Sequence, residues 1–532
     1  MKRSLQKVMF LCVAIFLTGC SLVYPSGAFH GSSSDLPSET KPVSLDWYIN
    51  FSWFTTQWGA DAVSRAITEQ TGVTINFITP SGSETEKLSS MLASDTLPDF
   101  ITLGWWEPQV EGIMQSGRVH ALNELADRYA PSFWEAADEA RVEWYRAEDG
   151  NVYCYPNSSF TPQDYDRGID IGSNQTFLVR KDLYEAIGSP DMTTQEGFAG
   201  AIRKAAEMFP TVDGFPLIPF GAHEFNSYGC DSFGQYLMNF LAVPWEKDGR
   251  FYDRFTDPEY ISWLKLFRQL GEEKLLSQDI FLDKRAQMEE KVAQGRYFSM
   301  LYQRTDLAEQ QKERYSADPA SSYIAIDGPR NAAGDTHMLP GAGIQGWTVT
   351  FISRNCAHPD KAIELMAFLM SEEGQKLTYL GVEGEEYLHT EEGLTFLPEP
   401  SVLINEDPRT YIDRYGGNNT YWMLQDLVMQ ARFVRREEPA TLQMLEWTYP
   451  YTFYTAQYNI AFESDSPAGI ADRRIKEAWG EVLPKLLLAP TEEEFDSLFE
   501  GFLKLRGSYG YSLIMEESTR QMNDAKQRLG LD

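Results

Sequence analysis

Val43-Ser-Leu-Asp-Trp-Tyr-Ile-Asn-Phe51 begins the passage that sets the fold class. This β-rich run is followed by a helical stretch over 60–70, a second β-rich run over 73–78, a helix over 83–94 and a strand over 99–103. Ser83 and Glu86 have the spacing of a capping box, which would start that second helix. Strand and helix therefore alternate, and alternation predicts an α/β layer with a largely parallel sheet. In such sheets ligands sit at the carboxyl ends of the strands, so the loops leaving those ends are the places to search. The first offers Phe51-Ser52-Trp53-Phe54 and the third Gly104-Trp105-Trp106-Glu107.

Further along, 151–156 and 175–180 are extended runs separated by a polar, Pro- and Gly-containing segment, which reads as a crossover between two lobes. A helix is expected near 195–208, a long amphipathic helix over 258–271, and strands over 322–327 and 347–352. Pro359 suits a first helical turn, and Ile363, Met366, Ala367 and Met370 then share one apolar face. From Tyr411 onward the chain reads as mostly helical.

The 532 residues are enough for two or more domains, and 43% hydrophobic residues can fill real cores. With 46 basic and 78 acidic side chains the net charge is −32, which repels phosphate backbones and anionic lipid and excludes nucleic acid as a partner. Six scattered histidines give no zinc spacing, and Asp213 alone among 209–219 cannot supply the oxygens calcium needs. No metal or cofactor is expected. Gly341-Ala-Gly343-Ile-Gln-Gly346 matches a dinucleotide pattern but precedes a β-branched run rather than a helix, so it reads as a loop.

The N-terminus carries Met1-Lys-Arg, an apolar run over 9–17 too short to span a bilayer, and Leu17-Thr-Gly-Cys20. These are the parts of an export signal. Leu-Thr-Gly-Cys resembles the lipobox of bacterial lipoproteins, which implies cleavage before Cys20 and acylation of its thiol. An ordinary secretory signal with a chance cysteine is the alternative. Residues 21–41, rich in Ser, Pro and Gly, read as a tether with a reach of roughly 25 Å. Cys154, Cys230 and Cys356 then remain. They read as buried apolar residues, the alternative being one disulfide and a free thiol.

Four passages carry a wider resemblance: Glu69-Gln-Thr-Gly-Val-Thr-Ile75; Phe177-Leu-Val-Arg-Lys-Asp-Leu183; Asp248-Gly-Arg-Phe-Tyr252 with Pro258-Glu-Tyr260; and His358-Pro-Asp-Lys-Ala362 with Ser371-Glu-Glu-Gly374 and Gly381-Val-Glu-Gly-Glu385. In this order, after a lipobox, they resemble the solute-binding lipoproteins of bacterial ABC sugar importers, in particular the large oligosaccharide type of Firmicutes. The resemblance implies a two-lobed periplasmic-binding-protein-like fold of type II, with a carbohydrate in the cleft and an importer permease as partner. The expected organisation is a signal over 1–19, a lipidated tether over 20–41, a first lobe from 42–160 and 325–405, and a second from 161–324 and 406–532. A non-catalytic monomer, lipid-anchored on the outer face of the membrane, is the expected state.

Sugar sites need flat rings against C–H faces and polar groups for hydroxyls. Aromatics at strand ends beside polar groups are the informative ones: Trp53, Trp105, Trp106, Tyr155, Asn157, Tyr302, Gln303 and Trp347, with Glu107 beside Trp106 and Tyr451 on the far rim. Each ring would serve a core as well as a ligand. The resemblance adds weight to Trp347 and to Tyr302-Gln303. The competing class is a surface glycoside hydrolase, which needs two carboxylates across the scissile bond, with Glu107 the most suggestive single one. A sensor lipoprotein partnering a membrane kinase would use the same ligand site.

Overall fold

The computed structural model describes residues 42–531 apart from 82, 83, 168, 392, 434–438 and 464. The export signal, Cys20, the tether and the Ser83 cap lie outside the described residues. The strands that position the site are, in chain order, β1 (Val43–Ile49), β2 (Val73–Ile78), β3 (Phe100–Gly104), β4 (Cys154–Pro156), β5 (Gln175–Arg180), β6 (Ile218–Gly221), β7 (Tyr297–Gln303), β8 (Tyr323–Ala325) and β9 (Thr348–Ile352). They form two separate sheets, ordered β2-β1-β3-β9-β4 and β8-β5-β7-β6.

Each sheet contains one reversed strand. β9 runs antiparallel to both β3 and β4, and β5 antiparallel to both β7 and β8, while β1 is parallel to β2 and β3. The reason is topological: β5 and β9 are the strands by which the chain enters a lobe from the crossover, so they start where the others end. The carboxyl ends of β1, β3 and β4 and the amino end of β9 consequently share one edge of the first lobe. Each lobe has its own apolar core, built around Trp47, Phe100 and Phe351 in the first and around Phe177, Phe220 and Trp263 in the second. Burial of such clusters at about 25 cal/mol per Å² of apolar surface is the main force holding each lobe.

The helix Pro359–Met370 buries Ile363, Met366, Ala367 and Met370 against the first core, as its periodicity requires. The helix Ala62–Thr71 is capped by Asp61, whose Oδ1 accepts from Ser64 N (2.8 Å), and it ends on Gly72 at φ 68°. Asp61 is buried and also accepts from the Tyr421 hydroxyl, which ties the start of this helix to the distant 415–421 segment.

Two lobe assignments are corrected. Tyr421–Leu424, expected in the second lobe, pack in the first core. Ile326 and Leu339, expected in the first, pack against the second. Tyr421–Leu424 is a short apolar run without periodicity, and Ile326 and Leu339 flank a polar stretch, so in both cases the faces depend on partners far away in sequence. Between the lobes, Leu339–Pro340 pairs in parallel with Thr452–Phe453, Phe160 N donates to Gly343 O (3.0 Å), and Ser158 N donates to Gln425 O (2.9 Å). The Gly341–Gly346 run is a loop, as expected, that follows the crossing strand Leu339–Pro340 and leads into β9. Gly346, at φ 75°, leaves no room for a Cβ, which would lie 2.2 Å from Asn157 O. Cys154, Cys230 and Cys356 are buried free thiols.

Candidate functional site

β1 delivers the chain into Asn50-Phe51-Ser52-Trp53 at the shared edge. Trp53 is 49% exposed and lies parallel to Trp347, with ring centres 6.2 Å apart and planes within 7°. Trp347 enters β9 and is fixed by its backbone: its N–H donates to Asn157 O (3.0 Å) and its carbonyl accepts from Trp105 N (3.3 Å). Beneath the pair, Trp422 sits 4.4 Å from Trp347 and 5.8 Å from Trp53, while Phe51 touches both tryptophans and Trp422 at 5.5–5.8 Å. Offset and tilted contacts of this kind suit aromatic quadrupoles and hold the outer rings in place.

β3 supplies the other wing. Trp105 and Trp106 stand perpendicular at 6.3 Å, and Trp106 is 47% exposed. Its ring folds back over Gly104, where a Cβ would come within 2.6 Å of it, so glycine here lets the ring lie flat on the strand end. The strip thus has two wings, Trp105-Trp106 and Trp347-Trp53, joined through the Trp105 N–H and the Trp347 carbonyl, with Trp422 beneath the second.

A groove opens at each end of the strip, between residues of the two lobes. One, of about 700 Å³, lies between Trp105-Trp106-Glu107 and the segments carrying Glu463, Glu516 and Arg520. The other, of about 610 Å³, lies between Trp53, Arg409 and Asn418-Asn419 on one side and Glu309, Lys312 and Glu313 on the other.

Polar groups accompany the rings. Glu84 Oε1 accepts from Ser52 N (2.8 Å) and Ser52 Oγ (3.0 Å), which fixes the loop that carries Trp53. Burial, and then the neighbouring Glu84 charge, hold the Glu107 carboxyl above the usual carboxylate range. Buried Asn50 accepts from the Tyr48 hydroxyl at Oδ1 (2.7 Å), and its Nδ2 has no acceptor among the described residues.

Not every expected residue faces this surface. Trp53, Trp105, Trp106, Glu107 and Trp347 come together on it. Asn157 is fully buried and spends its amide inside the protein, accepting from Thr348 N (2.8 Å) and donating to Trp422 O (2.9 Å). Tyr155 is buried against Phe133, and its hydroxyl accepts from Asp138 N (3.0 Å). Tyr302 is buried and stacked on His223 at 4.0 Å, and Gln303 accepts from the Tyr236 hydroxyl (3.1 Å). Tyr451 donates to Asp327 Oδ1 (2.9 Å). The Asn157 amide and the Tyr155 hydroxyl are consumed by the fold and Tyr302 is buried against His223, so these three pack the interior, while Gln303 and Tyr451 make their contacts within the second lobe. Sequence reasoning missed Trp422, Phe51, Arg409 and Asn418-Asn419. The left-handed φ of Asn418 (50°) and Asn419 (59°) marks a turn that the Gly-Gly-Asn-Asn run 416–419 announces. Among the described residues, no group of His, Cys, Asp and Glu could hold a metal ion, and no helix is long and apolar enough to cross a membrane.

The family model for bacterial extracellular solute-binding proteins matches residues 57–376, more than half of the chain. The chain belongs to the bacterial extracellular solute-binding protein family. Solved structures of similar fold include the S. pneumoniae ABC-transporter substrate-binding protein FusA in complex with kestose, at 14% identity and TM-score 0.69, covering 91% of this chain and 99% of that one. The alginate-binding protein AlgQ2 gives 16% and 0.66, covering 91% and 98%. An extracellular solute-binding protein from Bifidobacterium longum subsp. infantis gives 12% and 0.67, with the same coverage. At such identities the likeness to this solute-binding protein is one of fold. No curated protein sequence matches the chain.

Proposed function

We propose that this solute-binding protein captures an oligosaccharide in the cleft between its lobes and presents it to the permease of an ABC importer, acting as a monomer held to the outer face of the membrane by acyl chains on Cys20. The observation that carries the reading is the parallel Trp53–Trp347 pair, its Trp53 ring half exposed, backed by Trp422 and Phe51. Preformed flat rings suit the C–H faces of successive sugar units, and a strip of several rings with a groove at either end suits a chain of them. Several acyl chains would give lasting attachment where one alone binds only marginally. Catalysis forms no part of the role.

The test is a mature, tag-free protein titrated with a panel of oligosaccharides and peptides, read by tryptophan fluorescence and melting temperature. A ligand that binds only the folded state raises the melting temperature and quenches or shifts the emission of the strip. A response to peptides alone would sink the sugar reading. Release of reducing sugar that disappears in Glu107→Gln would replace the receptor with a hydrolase. Labelling with a radioactive fatty acid, lost in Cys20→Ala, checks the anchor.

A further inference from the structure

We infer that the glycan this cleft accepts carries no negative charge, a reading that rests on the proposed capture of an oligosaccharide and names its class. The similar folds leave charge open, since one is a complex with kestose and another an alginate-binding protein. Here the grooves decide it.

Five carboxylates line the larger groove, Glu107, Glu111, Glu463, Glu516 and Glu517, against a single cation, Arg520. That cation is already spent. Its Nε donates to Glu517 Oε2 (2.9 Å), its Nη2 to Glu517 Oε1 (2.5 Å) and its Nη1 to Asp524 Oδ2 (2.6 Å). In the second groove Glu309, Glu313, Glu406 and Asp407 accompany Lys312 and Arg409. Arg409 donates to Asp413 Oδ2 (2.9 Å) and Thr55 Oγ1 (3.1 Å), and Lys312 has a partner within the chain. Asp407 is held below the usual carboxylate range by the Thr410 hydroxyl and N–H, so it is ionised throughout the physiological range.

A uronate entering either groove would meet an excess of like charges at close range, and the arginines among the described lining residues already face carboxylates; like-charge juxtaposition is a strong means of rejection. A neutral sugar meets only acceptors for its hydroxyls. A cationic amino sugar would be attracted to the groove rims. The exposed faces of Trp53 and Trp106 also suit an ammonium, so positive charge is tolerated where negative charge is not.

Three pairs of β-1,4 tetrasaccharides decide the matter, each a neutral oligomer and its uronate: gluco, manno and galacto, with chitosan tetrasaccharide and kestose added. Binding is measured by calorimetry at low and moderate salt. The expected result is that at least one neutral member binds and its uronate binds on the order of a hundredfold more weakly, with the gap narrowing as salt rises. A uronate that binds as well as the best neutral sugar overturns the inference while leaving capture intact, whereas binding of chitosan tetrasaccharide with the uronates rejected supports it. Failure of every glycan to bind overturns capture itself. A second readout is charge reversal on the rim: the E463K/E516K variant should raise the ratio of uronate to neutral affinity at least tenfold, and an unaltered ratio counts against the inference.

Discussion

Arg528 lies over the indole of Trp144, its guanidinium carbon 4.1 Å from the ring centre, and donates through Nη2 to the Trp144 carbonyl. The contact joins two bodies. Arg528 closes the helix Tyr511–Leu529, which packs on the helix Pro467–Leu487 of the second lobe, whereas Trp144 packs against the first core. It is therefore a clasp across the cleft, made from the last turn of the chain. A cation over an aromatic face contributes about 0.5–2 kcal/mol, depending on how dry the contact is.

Removing the clasp should loosen the lobes without unfolding either. Arg528→Ala is expected to enlarge the unliganded protein in small-angle scattering and to lower stability to urea by about 1 kcal/mol, with Arg528→Lys retaining part of the effect. An unchanged scattering profile would show that the lobes are held apart from this contact.

The strip makes an ordered prediction. Trp53→Ala removes an exposed ring and should weaken glycan binding by about 0.5–1.5 kcal/mol while leaving the unliganded melting temperature nearly constant. Trp347→Ala removes the ring that supports both Trp53 and Trp422, so it should weaken binding more and also lower the melting temperature. Calorimetry and thermal unfolding on the same two variants check the order, and equal effects of the two would contradict it.

Stability should fall in mild acid. Burial pushes His223 down to about 3 and His337 down to about 4, so neither takes up a proton in the folded state between those values and the ordinary 6.5. The unfolded chain does take up protons there. A depressed folded pKa contributes stability above about 6.5 that is lost as pH falls toward the folded value, and two such groups give roughly 4 kcal/mol between pH 7 and pH 5. Urea unfolding across that range measures the slope, and His223→Gln should flatten it by about half.

Asp61→Ala should cost about 2–4 kcal/mol, because it removes a helix cap and leaves the buried Tyr421 hydroxyl without its acceptor. Asp61→Asn, which keeps an oxygen for both, should cost less. Comparable losses in the two variants would place the effect elsewhere.

Local signals made much of this molecule readable before its structure. The helices Gln195–Met208 and Pro359–Met370 stand where caps, proline and period place them. Trp53, Trp105, Trp106 and Trp347 stand at the strand ends, as expected, because loops there are short and neighbours in sequence are neighbours in space. Tyr155 failed for a different reason: on a three-residue strand nothing in the sequence says which face meets the core. Asn157 has the right chemistry for a sugar, but its amide is claimed by Thr348, 191 residues away. Trp422 went unseen because its contacts with Trp53 and Trp347 bridge a long stretch of chain, and an apolar tetrapeptide carries no period to show where it belongs.

The reversed strand of the first sheet also sets a timetable. β9 lies between β3 and β4, and the Thr102 hydroxyl meets the Thr350 hydroxyl at 2.8 Å across 248 residues of intervening chain. Until residue 352 has been made, the middle of that sheet is a gap that no local segment can fill. Contacts this distant form slowly because loop closure must come first. A growing chain ending at residue 320 is consequently expected to leave its first lobe open and sensitive to protease, whereas one ending near residue 430 can complete that sheet and then gather Trp422 under the strip.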